Sequence, residues 1–163
     1  MHVGVPTVFV RFGECDLRCA WCDSPNTWKR SAVCRVESEP GGGNFVELEN
    51  PVPVTEIARW ISVLDPAGRS VVSLTGGEPL LQAEVLGELC ERLRGEGRTL
   101  HLETHGLATD SLPTVAGRVD VIAMDWKLAS QVKRARPVTG EDGFEGEHEQ
   151  FLRLALKGGA DVF

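Results

Sequence analysis

The sequence predicts an α/β fold built from parallel βα units. Short β-rich segments alternate with amphipathic helical segments along the chain, which is the order of elements in such folds. Residues 71–74 and 119–123 are apolar enough to be covered on both faces, as parallel strands are. The chain has 163 residues, enough for one domain and too few for two of ordinary size. We therefore expect a single domain over residues 1–163.

The individual elements follow from apolar spacing and from the positions of glycine and proline. Apolar residues at helical spacing predict three helices, at 54–64, 85–93 and 147–157. Shorter apolar runs predict strands at 8–12, 70–74, 100–104, 119–123 and 161–163. Two stretches lack periodicity and are expected to be loops, residues 29–53 and 129–146. The first is rich in glycine and proline and is predicted to be an irregular insertion loop.

Composition and charge exclude several classes of function. The formal net charge is −7 and no long basic run is present, so we do not expect binding to nucleic acid or to an anionic membrane. No apolar run approaches the roughly 20 residues that cross a bilayer. The first residues show no basic stretch followed by an apolar segment, which argues against a secretory signal. We therefore expect the reducing environment of the cytoplasm.

Three of the five cysteines lie close together, at Cys15, Cys19 and Cys22. In a reducing compartment this grouping indicates metal binding or redox chemistry before a disulfide framework. Three thiolates in a short loop suit a [4Fe–4S] cluster with one open iron, because cysteine thiolates hold such clusters. A zinc site would need a fourth ligand, for which Cys34 is a distant candidate, and buried apolar cysteines are the other alternative. Cys90 lies in a helical apolar stripe and is predicted to be a core residue.

Polar motifs follow several of the predicted strands. Besides the cysteine loop, they are Thr-Gly-Gly-Glu at 75–78, Glu-Thr-His-Gly at 103–106 and Asp-Trp-Lys at 125–127. Because the carboxyl ends of parallel strands meet at one edge of a sheet, we expect these motifs to form one site. Taken without the cysteines, residues 76–79 would equally fit a strand-to-helix turn. Residues 125 and 127 would equally fit a structural ion pair.

The cysteine triad followed by Gly76-Gly77-Glu78-Pro79 resembles the radical S-adenosylmethionine superfamily. The resemblance implies a [4Fe–4S] cluster whose open iron binds the amino and carboxyl groups of S-adenosylmethionine. Electron transfer from such a cluster cleaves the sulfonium to a 5′-deoxyadenosyl radical, which is chemistry that side chains cannot supply. The resemblance also implies a partial, open parallel βα barrel as the form of the α/β fold.

Within this superfamily, the sequence most resembles the 7-carboxy-7-deazaguanine synthase family of the queuosine (7-deazapurine) pathway. The similar segments are PTVFVR at 6–11, CDLRCAWCDS at 15–24, LTGGEPLLQ at 74–82 and ETHG at 103–106. The resemblance implies a carbon–nitrogen lyase that contracts the ring of 6-carboxy-5,6,7,8-tetrahydropterin to 7-carboxy-7-deazaguanine and releases ammonia. No residue can be identified from the sequence as the acid or base of this reaction.

The same resemblance implies roles for individual residues. The cluster ligands would be Cys15, Cys19 and Cys22. Contacts with S-adenosylmethionine are implied for Trp21, Cys22, Asp23, Gly77, Glu78, Asp125, Trp126 and Lys127. The substrate is expected at Arg11 and Thr75, since a guanidinium suits a carboxylate. Mg²⁺ is expected at Ser24, where the family usually has threonine and the hydroxyl group is kept.

The chain also departs from the family pattern. His105 stands where asparagine is common, and the family's usual Gln-Gly-Glu-Gly stretch is not found before Met1-His2-Val3-Gly4. The family normally continues beyond the strand that residues 161–163 open, so the chain looks trimmed at both ends. We expect complete substrate binding to depend on those ends.

Two other functions stay open at this point. A glycyl-radical-enzyme activase shares the triad and the Gly-Gly-Glu-Pro turn, but it would not need Arg11 or a hydroxyl group at Ser24. A non-catalytic iron–sulfur electron carrier is the more distant alternative, and it leaves residues 76–78 unexplained. As partners, the resemblance implies a pterin substrate and a flavodoxin- or ferredoxin-like reductant, with a homodimer as an option.

Overall fold

A five-stranded parallel sheet forms the centre of the computed structural model, which describes residues 4–136 and 143–163. The strands in the described residues are β1 (Thr7–Phe12), β2 (Leu17–Cys19), β3 (Val33–Glu37), β4 (Phe45–Glu49), β5 (Val71–Gly76), β6 (Thr99–Thr104), β7 (Val121–Met124), β8 (Val132–Arg134) and β9 (Asp161–Val162). The α-helices are α1 (Val54–Leu64), α2 (Ala83–Gly95) and α3 (Glu145–Lys157).

The central sheet has the strand order β1-β5-β6-β7-β9, and every neighbouring pair is parallel. Each new strand is therefore added to the same side of the sheet, without the reversal that marks a doubly wound sheet. All five carboxyl ends lie along one edge, as the sequence predicts. The predicted α/β class with a parallel sheet is confirmed.

The three predicted helices are confirmed as α1, α2 and α3. Their apolar residues, placed at helical spacing, pack into the core beside the central sheet. Val54, Ala58 and Ile61 of α1 are buried, and they share a core with Cys90 and its neighbours in α2. Cys90 has no exposed surface, so its prediction as a core residue is confirmed. Within the described parts of the chain, no helix is both long and apolar enough to cross a bilayer.

The prediction of an irregular loop at 29–53 is wrong for much of that stretch. Strands β3 and β4 pair in an antiparallel hairpin, in which Val33 faces Glu49 and Glu37 faces Phe45. The glycine run at 41–43, which favours a loop, is the turn between these strands, and Gly41 and Gly43 have positive φ angles. The glycines of the turn and the prolines at positions 40, 51 and 53 hide the short alternating pattern of the two strands.

The prediction of a loop at 129–146 is also wrong in part. Strand β8 pairs with β2 in an antiparallel ladder, and this pairing joins the cysteine loop to a segment far downstream. Three-residue strands carry no periodicity that a sequence pattern can detect. The part of the predicted loop at 137–142 lies outside the described residues.

A buried ion pair ties the end of α1 to the start of β6. It lies at the amino ends of the strands, whereas the predicted site lies at their carboxyl ends. One nitrogen of the Arg98 guanidinium donates to Asp65 Oδ2 at 2.7 Å and to the Asp65 carbonyl at 3.0 Å. Both side chains are nine-tenths buried or more. The Ser70 backbone N–H donates to the same carboxylate oxygen at 2.8 Å, so this pair also anchors the chain just before β5.

Candidate functional site

A cavity of about 460 Å³ opens at the carboxyl ends of β1, β5, β6 and β7. The predicted site residues at its wall are Arg11, Cys15, Asp23, Ser24, Thr75, Gly77, Asp125 and Lys127. The strand ends therefore bring most of the predicted motifs into one place. Trp21, Cys19, Cys22, Glu78 and Trp126 are not part of the wall.

The three cysteines of the loop are free thiols, and two of them pack against apolar side chains. Cys15 and Cys19 contact an apolar cluster formed by Leu17, Leu107, Val132 and Phe144. Burial raises the pKa of Cys15 to about 11, and burial also raises the pKa of Cys19, although Lys127 acts against it. Without a metal these two groups are neutral thiols at pH 7, and a bound cation would favour the thiolates.

The described residues contain no preformed site for a single metal ion. Among the residues described, no three His, Cys, Asp or Glu side chains are close enough to hold one metal ion. The thiolates of a [4Fe–4S] cluster bind different irons, so they need not converge as the ligands of a zinc ion do. Cys34 lies in β3, outside the loop, and does not line the cavity.

The glycine turn after β5 fixes the backbone that leads into Cys15. Three successive carbonyl groups, of Phe12, Gly13 and Glu14, accept hydrogen bonds from the segment 77–82. The donors are the backbone N–H groups of Gly77 and Glu78 and the side-chain amide of Gln82, at 2.8 to 2.9 Å. A Cβ atom on Gly77 would lie 2.0 Å from the Glu14 carbonyl oxygen. The close approach at Gly77 is therefore to the cysteine segment, whereas the resemblance implies an approach to a ligand.

We expect Gly77→Val to loosen the cysteine segment as well as the cofactor side of the cavity. The clash with the Glu14 carbonyl would displace backbone, and we expect a cost of about 3 kcal/mol in the free energy of unfolding. Urea unfolding and iron content after anaerobic reconstitution measure the two effects. Gly95→Val is the matched control, because a Cβ there meets nothing within 4 Å. Full iron content together with parental stability in Gly77→Val would contradict this reading of the turn.

The Glu78 carboxylate is occupied by protein donors. It is fully buried and accepts hydrogen bonds from Leu80 N at 3.0 Å, Thr104 Oγ1 at 2.9 Å and His105 N at 2.9 Å. A buried carboxylate needs such donors to offset its lost hydration. These bonds link the ends of β5 and β6 through Glu78, and the implied contact of this side chain with the ammonium group of a cofactor stays a prediction.

Arg11 and Thr75 lie opposite each other in the β1–β5 register and both line the cavity. Glu103 belongs to a motif that the sequence places at the site without an individual role, and it lines the cavity beside them. Its carboxylate accepts hydrogen bonds from Thr75 Oγ1 at 2.9 Å and from Ser73 Oγ at 2.5 Å. This part of the wall therefore offers a cation and an oriented carboxylate. The signal in the sequence is the charged residue near the end of a buried strand.

Asp125 and Lys127 form an ion pair, and both line the cavity. The Lys127 ammonium also lies 6.0 Å from the centre of the Trp21 ring, which is half exposed. Trp126 points elsewhere and stacks on His148 of α3, with ring centres 4.8 Å apart. The sequence leaves a structural ion pair and a role at the site as alternatives for Asp125 and Lys127. In the structure these residues form the ion pair and also line the cavity.

His148 of α3 binds the backbone of the loop after β7, and it is not among the predicted site residues. Its Nε2 accepts from the Lys127 backbone N–H at 2.8 Å, so Nδ1 carries the proton and donates to the Gly106 carbonyl at 3.0 Å. Burial lowers the pKa of His148, which keeps the ring neutral at pH 7. Its position with Phe151 and Ala155 on the buried face of α3 is the only signal that the sequence offers.

Asp23 and Ser24 stand at the end of the cysteine loop, and both line the cavity. The Ser24 hydroxyl donates to Asp23 Oδ1 at 2.9 Å. Oxygen atoms of these two kinds are ligands that Mg²⁺ accepts in proteins. The predicted Mg²⁺ ligand is thus placed at the cavity beside a carboxylate.

An α/β domain with three free thiols in one loop at its strand ends has the form of an iron–sulfur protein. The chain belongs to the family described as "4Fe-4S single cluster domain", which matches residues 3–136. This membership supports a [4Fe–4S] cluster over a zinc site.

Curated relatives are similar over nearly the whole chain. The 7-carboxy-7-deazaguanine synthase of Geobacter sulfurreducens is 35% identical over 95% of this chain and 60% of its own length. That of Thermococcus kodakarensis is 40% identical over 96% of this chain and 61% of its own length. The chain thus spans about three fifths of these relatives. A crystal structure of QueE from Escherichia coli aligns with 98% of this chain and 85% of that one, with 18% identity and a TM-score of 0.47.

Proposed function

We propose that this chain is the core of a radical S-adenosylmethionine enzyme, a 7-carboxy-7-deazaguanine synthase. The reaction would convert 6-carboxy-5,6,7,8-tetrahydropterin to 7-carboxy-7-deazaguanine with loss of ammonia. The observation that carries the proposal is the shared cavity, where Cys15 of the triad lies in the same wall as Arg11 and Thr75. The curated relatives bear the name of this synthase.

The proposed fold is an open parallel βα barrel. The strand order of the central sheet follows the order of the chain, which is how the strands of a βα barrel are arranged. The described strands form a sheet with two edges, β1 and β9, and the cavity lies at the carboxyl ends, as in barrels of this kind.

Two groups of residues would hold the cluster and the cofactor in this proposal. Cys15, Cys19 and Cys22 would hold the cluster, which when bound supplies the low-potential electron for reductive cleavage of S-adenosylmethionine. Asp125 and Lys127 would contact that cofactor. The amino-acid part of this cofactor carries an ammonium and a carboxylate group. The cavity wall offers the carboxylate of Asp125 and the ammonium of Lys127 as their partners.

The substrate would lie on the β1 and β5 side of the cavity. Arg11 would bind its carboxylate, and a guanidinium can do this with two parallel hydrogen bonds. Thr75 and Glu103 would face the polar edge of the ring, with Glu103 held in place by the hydroxyl groups of Ser73 and Thr75. The hydroxyl donors leave acceptor capacity on the Glu103 carboxylate for a ring N–H group.

Anaerobic reconstitution followed by product analysis tests the proposal. We expect the protein with iron, sulfide, S-adenosylmethionine and a chemical reductant to form 5′-deoxyadenosine, and with the carboxy-tetrahydropterin to form 7-carboxy-7-deazaguanine. Absence of 5′-deoxyadenosine from a fully loaded protein would favour an electron carrier. Formation of 5′-deoxyadenosine with no calorimetric binding of the pterin, either by this chain or by a chain extended at both ends, would favour an activase.

Ser24 is the proposed Mg²⁺ ligand, and its loss should separate cofactor chemistry from substrate chemistry. We expect Ser24→Ala to keep the cluster and the slow cleavage of S-adenosylmethionine without substrate. Product formation should fall on the order of 100-fold, because the ion would position the substrate. Product formation against Mg²⁺ concentration is the measurement, and Ser24→Thr is the matched control that keeps the hydroxyl group. A parental Mg²⁺ dependence in Ser24→Ala would make this serine a turn residue only.

The remaining partners follow from the same proposal. A flavodoxin- or ferredoxin-like protein would deliver the electron, and the cytoplasm would supply the reducing environment that free thiols require. A homodimer is compatible with the proposal.

A further inference from the structure

We propose that His105 is a positioning residue that holds the loop of Cys15, Cys19 and Cys22 in its cluster-binding conformation before any iron is bound. The proposal rests on the proposed cluster ligands, and it adds a residue to which neither the sequence motifs nor the relatives assign a role. Its basis is a set of hydrogen bonds that joins the end of β6 to the cysteine loop.

The His105 side chain is oriented by the protein on both of its ring nitrogens. The Leu107 backbone N–H donates to Nδ1 at 3.1 Å, so Nδ1 is an acceptor and the neutral ring carries its proton on Nε2. Nε2 then donates to Asp16 Oδ1 at 2.9 Å. The backbone N–H of His105 donates to the buried Glu78 carboxylate at 2.9 Å, which fixes the residue from a third side. His105 is therefore a rigid donor aimed at Asp16.

Asp16 is the residue that receives this hydrogen bond, and it lies inside the loop between Cys15 and Cys19. Its carbonyl accepts from the Ala135 backbone N–H at 2.6 Å, next to the β2–β8 ladder. The loop is thus held through its backbone by the segment after β8 and through its side chain by His105. The Asp16 side chain is nearly half exposed, and the hydrogen bond from His105 offsets the conformational entropy lost when this side chain is held in one orientation.

Leu107 extends the same arrangement to the thiols. Its side chain belongs to the apolar cluster against which Cys15 and Cys19 pack. Because its N–H group is bound to His105 Nδ1, His105 fixes the backbone of a residue in that cluster. One imidazole therefore supports the cysteine loop from two directions, through Asp16 and through Leu107.

Two substitutions of His105 separate its hydrogen bond with Asp16 from its hydrogen bond with Leu107. In His105→Asn the amide oxygen can replace Nδ1 as an acceptor, but the side chain is too short to reach Asp16. In His105→Gln the longer amide can replace Nε2 as a donor to Asp16. The first variant should lose the positioning effect and the second should rescue it, while both keep the backbone N–H to Glu78.

The alkylation of each cysteine in the metal-free, reduced protein is the direct test. We expect iodoacetamide to modify Cys15 and Cys19 on the order of ten times faster in His105→Asn than in the parent, because the lost hydrogen bond to a charged group lets the loop open. His105→Gln should stay near the parental rate. Mass spectrometry resolves the sites, and two other cysteines serve as internal references, Cys90 for global unfolding and Cys34 for the hairpin.

Cluster retention gives a second readout. His105→Asn should lose iron to a chelator faster than the parent does, and so should Asp16→Ala. The double variant should be no worse than either single variant, since both remove the same contact.

Three results would overturn the proposal. They are parental alkylation rates at Cys15 and Cys19 in His105→Asn, an equal rise at Cys90 that marks general destabilisation, and a His105→Gln protein as defective as His105→Asn. Failure of the cluster assignment is distinguishable, because it would appear as full iron content in Cys19→Ala whatever the alkylation rates in the metal-free protein.

Discussion

Alanine at Cys15, Cys19 or Cys22 is expected to remove most of the iron and the charge-transfer absorbance of the anaerobically reconstituted protein. Each thiolate would bind a different iron, so the loss of one ligand leaves a second iron open, and the cluster is no longer held. Iron analysis and visible absorbance measure the result.

The chain provides two matched controls for this experiment. Cys90→Ala should keep the full iron content and cost about 1–2 kcal/mol of stability, because it only creates a small cavity in the core. Cys34→Ala should keep both the iron and the stability, since Cys34 lies in the β3–β4 hairpin. A four-iron complement in Cys19→Ala would refute the assignment, and iron loss in Cys34→Ala would point to a fourth ligand.

Arg98→Leu is expected to lower the free energy of unfolding by about 3–5 kcal/mol at pH 7, because it leaves the buried Asp65 carboxylate without its cation. The leucine fills part of the space, but it cannot replace the hydrogen bonds from the guanidinium to Asp65 and Ser62. Urea unfolding followed by circular dichroism gives the difference. Arg92→Ala is the control, because its ion pair with Glu96 is exposed and should be worth less than about 1 kcal/mol.

The same pair predicts how stability depends on pH. Burial acts to raise the pKa of Asp65, but the backbone N–H groups of Ser70 and Arg69 and the charge of Arg98 outweigh it and lower the pKa. A carboxylate whose pKa is lower in the folded state adds stability above its unfolded pKa of about 3.9 and loses it as the pH falls through the folded value.

We therefore expect the gap between the parent and Arg98→Leu to narrow on acidification below about pH 4, where Asp65 becomes protonated. Without the guanidinium charge, Asp65 should take up its proton at a higher pH in the variant than in the parent. Unfolding curves at several pH values test this. A stability difference below about 1 kcal/mol at pH 7, or one that does not change with pH, would contradict the role given to this pair.

Much of the fold could be predicted because its main elements are defined by local patterns. The helical spacing over 54–64 gives α1 with the same bounds that the structure shows. The apolar runs of β5 and β7 are buried on both faces and stand out from any alternation. The clustering of polar motifs at strand ends follows from parallel pairing alone, so the cavity wall was predictable in outline.

The features of the fold and of the site that could not be predicted are those fixed by contacts between residues far apart in the sequence. Strands β2 and β8 are too short for a pattern, and each exists only because the other is present. The role of Glu78 depends on donors at the end of β6 and just after it, namely Thr104 and His105, which no spacing within the sequence reveals. His148 approaches the site from α3, and nothing near it in the sequence marks it as part of a loop support.

The β2–β8 ladder also sets an order of events during synthesis. A ribosome makes the N-terminal segment first, but Leu17 finds its strand partner only when Arg134 has emerged. Contacts between such distant positions form late, because a long loop must close before they are gained. The nascent cysteine loop should therefore stay open to solvent and to thiol chemistry until the sheet is complete. Stable iron loading should then follow, and not precede, the folding of the segment after β7.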